Sequence, residues 1–258
     1  SKSGIEDNIS IITDGPADVT WVVDLCQMRA TPKLFNELLA KNCLLMITGS
    51  KFYQSPPFCG ALLVPERYAK EIEHGDIDSS LVEGFDKIYS KFDIPPSYKG
   101  LRTKLPSFEN IGFTLRWEAA ICESELLANY SERDVTYAIS NWNKHVKEYL
   151  ETKELFNIMV DQDVTNRSII SFKIAKNGQT LTNDQLKKVY EHLCLHGSKY
   201  FPKYERLSTG QPVTYESYSF LRVALGSTNI RKLIEENHDL SDDFKLIDVI
   251  EQITNELC

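Results

Sequence analysis

No stretch of this chain approaches the roughly 18 consecutive apolar residues that a membrane-spanning helix needs. No signal peptide opens it. Its six cysteines, at 26, 43, 59, 122, 194 and 258, contain no C-x-x-C pair. At 258 residues that spacing makes a secreted disulfide framework the poorer reading. Free thiols in a reducing, cytoplasmic setting are expected instead. An excess of basic residues is also missing. The net charge of −8 argues against a nucleic-acid partner, because phosphate backbones need a basic face. Neither a membrane nor a nucleic acid is expected as a partner. Low-complexity tracts and internal repeats are absent too.

What is present is the composition of a folded globular protein, with 42% apolar residues. "VTWVVDLC" (Val19–Cys26) is apolar and β-branched and predicts a buried strand ending near Asp24. "TPKLFNELLAKN" predicts a helix, with Thr31 as N-cap, Pro32 at the first position, and a face of Leu34, Leu38 and Leu39. "CLLMITGS" predicts a second strand, and "GALLVP" a third after the loop "KFYQSPPFC". Strand, helix and strand in that order read as the βαβ unit of a parallel sheet. From about Ile72 to Glu109 the chain is polar and dotted with proline, and reads as a crossover. Beyond it lie two long helical stretches, "FTLRWEAAICESELLANY" and "RDVTYAISNWNKHVKEYLETKELF". A strand "SIISFKI" follows, then a helix closed by Gly197, a strand "SFLRVALGS" and a C-terminal amphipathic helix. The expected fold class is α/β, with residues 1–90 ending a mostly parallel-sheet domain and residues 91–258 forming a smaller α+β domain.

Lys51 poses the functional question, since lysine is rarely fully buried and this one directly follows an apolar strand. One answer is a solvated lysine snorkelling from a strand end. The other is chemistry at the edge where ligands bind parallel sheets, outside the carboxyl ends of the strands. Asp24 ends the first strand and Gln27 lies in the loop beyond it. Thr48, Gly49 and Ser50 lead into Lys51. Taken alone, Asp24 reads as a turn or cap residue; it gains weight from the pair.

"VVDLCQMR…LLMITGSKF…PPFCGALLVP" resembles the fold type I pyridoxal-phosphate enzymes, and among them the class V aminotransferase and cysteine desulfurase group. The shared pattern is Asp-x-x-Gln at a strand end, Ser/Thr-x-x-Lys after the next strand, and a glycine opening an apolar strand, here Gly60. The resemblance implies that Lys51 forms the Schiff base with pyridoxal 5'-phosphate and that Asp24 pairs with the pyridinium nitrogen. It implies that Gln27 bonds the ring hydroxyl and that Thr48 and Ser50 lie near the phosphate. Ser50 stands where the desulfurases commonly have histidine. Downstream, "SFLRVALGSTN…LIDVIEQITNEL" resembles the end of the same group. That match implies that Arg222 receives the α-carboxylate of an amino-acid substrate, a task suited to a guanidinium fork; otherwise it is a surface strand arginine.

Whole enzymes of this fold begin with a long half that supplies the phosphate cup. No Gly- or Ser/Thr-rich strand-to-helix turn precedes Asp24, and "SKSGIEDNIS" lacks an initiator methionine. The chain is therefore expected to be the C-terminal part of such an enzyme, with the other half on the same or a cleaved chain, and a homodimer is expected. The resemblance does not choose among transamination, elimination, decarboxylation and racemisation. A rival reading is a non-catalytic remnant that keeps the fold as a binding or scaffold module.

The other reactive residues read more plainly. Cys59 sits in the apolar context "PPFCGALL" with no nearby base, and a buried structural thiol is inert. His192 and His196 have i, i+4 spacing, which suits a metal, but no third ligand is evident. Trp117 reads as a core anchor beside Arg116, with a packed salt bridge as one option.

Overall fold

Alternating burial along two short strands builds the first sheet. In β1 (Val22–Asp24) and β2 (Leu44–Thr48), Val23, Leu45 and Ile47 turn to one face. There they pack with Leu34 and Leu38 of α1 (Pro32–Ala40) and with Cys43, and Trp117 lies against the same cluster. Thr31 caps α1 as expected: its side chain accepts the Leu34 N–H at 3.3 Å, with Pro32 at the first helical position. The two strands run parallel, with Asp24 opposite Met46, so β1-α1-β2 is the predicted crossover unit. β3 (Gly60–Leu63) pairs with β2 antiparallel, Met46 opposite Leu62. The third strand thus joins the sheet from a loop that folds back rather than through a second crossover.

The computed structural model describes residues 19–74, 78–159, 167–204 and 207–258, so the opening decapeptide discussed above lies outside the described residues. After β3 come α2 (Glu66–His74), three short 3-10 turns (Ser79–Val82, Phe85–Lys87 and Lys91–Asp93), α3 (Lys99–Thr103) and α4 (Ile111–Ala128). α2 lies partly in the stretch read as a polar crossover. Its exposed pairs Glu66–Lys70 and Arg67–Glu71, at 2.6 and 3.6 Å, support a solvated helix. Contacts divide the chain into a unit ending at Leu126 and a second unit from Leu127 to Cys258. The expected boundary at residue 90 falls inside the first of these.

The second unit is an antiparallel sheet with helices on one face. Its strands are β4 (Phe156–Ile158), β5 (Ile169–Lys176), β6 (Gln179–Thr180), β7 (Gly210–Tyr215) and β8 (Tyr218–Ala224), in the order β4-β5-β8-β7 with β6 beside β5. Ile170, Phe172 and Ile174 of β5, with Leu221 and Val223 of β8, supply the buried face. Opposing them are α5 (Glu132–Glu151), α6 (Asn183–Tyr200), α7 (Ser227–Glu235) and α8 (Ser241–Leu257). Trp142 of α5 is buried and satisfies its indole N–H on Asp243 Oδ1 at 2.8 Å. The period of two puts Arg222 on the face turned away from these helices.

Gly197 does not close α6, contrary to the expectation. The helix runs on to Tyr200, and Gly197 is buried within it because a Cβ there would lie 2.8 Å from Leu207 Cβ. Among the described residues no helix is long and apolar enough to cross a membrane.

Candidate active site

The parallel pairing of β1 and β2 brings the ends of both strands to one edge. Asp24 closes β1 with its side chain exposed, and Cys26 donates its backbone N–H to Asp24 Oδ1 at 2.9 Å. That hydrogen bond, with a smaller contribution from the positive charge of Lys51, holds the Asp24 carboxyl below the usual carboxylate range. Asp24 is therefore an anion at neutral pH. Lys51, three residues beyond the end of β2, is exposed, and its side chain makes no ion pair or hydrogen bond among the described residues. Its charge acts on both Asp24 and Cys26. The structure thus brings together the two residues that the sequence pattern paired.

Gln27 lies in the turn that follows Asp24, closed by the Met28 N–H on Leu25 O at 2.8 Å, and is half-buried. The hydroxyls of Thr48 and Ser50 are 3.0 Å apart, and the Ser50 N–H donates to Thr48 Oγ1 at 3.3 Å. They form one small polar turn leading into Lys51.

Several residues hold this turn in place through contacts that the sequence did not reveal. Gly49 is one: a Cβ at this position would lie 2.3 Å from Ala120 Cβ of α4 and 2.9 Å from Cys59 Sγ. Only glycine lets the Lys51 loop approach the helix this closely. Buried Ser55 donates its hydroxyl to Arg116 O on α4 at 2.6 Å. Arg116 donates its Nε–H back to Pro57 O at 2.8 Å and another N–H to Gly112 O, so it braces carbonyls rather than an acid. Buried Arg29 lies over the Phe52 ring at 5.3 Å, tying the loop after β1 to the loop after β2. No composition or spacing signal marks Ser55 or Arg29, because their roles depend on which loops meet. Gly49→Ala should destabilise the protein by about 1–3 kcal/mol through overpacking. Urea unfolding checks this, and an unchanged midpoint would contradict the close approach.

The two thiols near this edge are not poised as nucleophiles. Cys59 is fully buried, 3.5 Å from Ser55 Oγ and 3.9 Å from Thr48 Oγ1. Burial, then the Asp24 carboxylate, pushes the Cys26 thiol up to about 11. At pH 8 iodoacetamide should therefore label Cys26 more slowly than the exposed Cys122. Asp24→Asn should speed Cys26 labelling several-fold, since removing the negative charge favours the thiolate. An unchanged rate would mean that the carboxylate does not act on the thiol.

In the second unit Arg222 is half-buried on β8, and its Nε is buried without a hydrogen-bond partner among the described residues. Burial lowers its pKa from the ordinary arginine value. The His192 and His196 rings are 4.7 Å apart, and the Tyr200 hydroxyl lies 3.4 Å from His192 Nε2. No group of three metal-ligating side chains occurs among the described residues.

No protein-family model matches the sequence, and no curated protein is similar to it. Solved structures are similar in fold. A phosphoserine aminotransferase from Cytophaga hutchinsonii superposes with a TM-score of 0.52 at 15% identity, over 90% of this chain and 58% of its own. A Catharanthus roseus tryptophan decarboxylase, solved with L-tryptophan, gives a TM-score of 0.48 at 15% identity, over 92% of this chain and 45% of its own. The first likeness shows the fold alone: the α/β architecture of that aminotransferase, with an α+β unit after it. The chain spans about half the length of the solved structures it matches.

Proposed function

We propose that this chain is the C-terminal part of a pyridoxal-phosphate-dependent enzyme of the class V aminotransferase-like group, acting on an amino acid. One observation carries the reading. An anionic Asp24 ends one strand, and an exposed Lys51, its side chain unpartnered among the described residues, lies three residues past the end of the parallel neighbour.

The donor set fits the cofactor. Lys51 Nζ would bond its aldehyde, and Asp24 would hold a proton on its ring nitrogen. The half-buried side-chain amide of Gln27 would suit the ring hydroxyl, and Thr48 and Ser50 would offer hydroxyls to the phosphate. When bound, pyridoxal phosphate supplies a carbonyl for the amine and an electron sink for the substrate's α-carbon. The chain's own share is different. Lys51 Nζ takes and returns the α-proton as general base and acid, and Asp24 stays ionised beside it. Arg222 supplies a fork for the substrate carboxylate.

The C-terminal-part reading draws support from the first sheet. Val22, Met46 and Leu62 share the face opposite α1 and are 51%, 40% and 50% exposed. A sheet with a parallel pair normally buries both faces. On α4, Ile111 and Leu115 are also exposed. Residues 1–90 would complete the cofactor domain together with that further chain, and the dimer would form from whole subunits in the cytoplasm.

Spectroscopic titration with pyridoxal phosphate tests this. The full-length protein should bind it tightly, turn yellow and change colour with a subset of amino acids, while these 258 residues alone bind it weakly. A colourless full-length protein would contradict the function. Tight binding by the isolated chain would contradict the partial-chain reading.

A further inference from the structure

An arginine in the middle of a sheet normally meets an acid or a long polar side chain on a neighbouring strand, because directly opposed residues are the contact unit of a sheet. Arg222 meets neither. Its cross-strand partners are Ser171 on β5 and Gly210 on β7. The positions of β5, β7 and β8 on this face include a second cation, Lys173, and no acid; Lys173 is engaged over the Tyr218 ring at 3.9 Å.

Gly210 is more than a small residue here. A Cβ on it would lie 3.1 Å from Arg222 Cβ and 3.3 Å from Arg222 Nε. Any side chain at this position would have to displace the stem of the guanidinium. On the other side, directly opposite Arg222, stands the short side chain of Ser171. The sheet could have neutralised Arg222 from either neighbouring strand, and on both it has a residue too small to do so. The Nε–H is left buried and unpartnered among the described residues, while the side chain as a whole is only half-buried.

We infer that Gly210 and Ser171 are positioning residues that keep open, beside the Arg222 guanidinium, a place sized for the substrate's carboxylate. This rests on the reading of Arg222 as the carboxylate receptor and adds which residues make it available. It also specifies the ligand end: a planar anion that takes a fork of two N–H groups.

The test uses the full-length protein, phenylglyoxal as arginine reagent and acetate as the carboxylate probe, with labelling at Arg222 read by peptide mass. In the parent, acetate should slow labelling of Arg222 in a saturable way. Gly210→Val should raise the acetate concentration for half protection at least about tenfold, the loss of one charge-assisted hydrogen bond. Gly210→Ala should shift it in the same direction by less, and decides the matter if the valine variant does not fold. Ser171→Glu places a carboxylate directly opposite Arg222, so labelling should be slow with and without acetate while the melting temperature holds or rises. Protection identical to the parent in the folded Gly210 and Ser171 variants would overturn this inference, as would an Arg222 that is never labelled. Labelling of the parent that ignores acetate would instead overturn the carboxylate role of Arg222 itself.

Discussion

Lys51→Ala should leave a folded protein that takes no colour from pyridoxal phosphate and has turnover lowered by about 10²–10⁴-fold, the range for losing a positioned general acid–base. The side chain is exposed and unpartnered among the described residues, so its removal takes away no packing and no internal hydrogen bond. The loss is then chemical rather than structural. Lys51→Arg sharpens the point. It keeps the positive charge beside Asp24, but a guanidinium stays protonated in proteins and offers neither a nucleophile nor a base. Both variants should melt with the parent and both should be inactive. Activity retained by the arginine variant would show that Lys51 acts only as a charge.

Asp24→Ala should lower turnover by about 10²–10³-fold, the typical cost of removing one preorganised electrostatic contact from a reacting centre, while leaving the covalent attachment at Lys51 intact. The carboxylate is exposed and accepts its backbone hydrogen bond from the neighbouring Cys26 N–H, so the fold should tolerate the change. The two variants therefore differ in a measurable way: Lys51→Ala loses both colour and turnover, and Asp24→Ala keeps colour and loses turnover. A fully active Asp24→Ala would remove Asp24 from the site.

The Asp24–Lys51 pair was legible because its placement depends on local signals alone. Thr31 and Pro32 start a helix, apolar β-branched runs flank it, and a strand-helix-strand unit then puts two strand ends side by side. The alternation in β5 and β8 likewise sets the face on which Arg222 lies. What stayed hidden depends on distant meetings. A strand's own residues do not encode its direction, so "GALLVP" gave no sign that β3 runs antiparallel; Ser55 reaching Arg116 O on α4 pins the loop that turns it back. Gly197 read as a helix stop because glycine commonly ends helices, whereas Leu207 across the fold is what requires it. β7 contains Gly210 and Pro212, which look like a loop until the strand is seen at the edge of the sheet, where proline is tolerated.

Borohydride reduction of the pyridoxal-phosphate-loaded protein, followed by peptide mass mapping, tests the central claim most directly. A single pyridoxyl adduct on Lys51 is the predicted result. An adduct on any other lysine, with Lys51 unmodified, would contradict it.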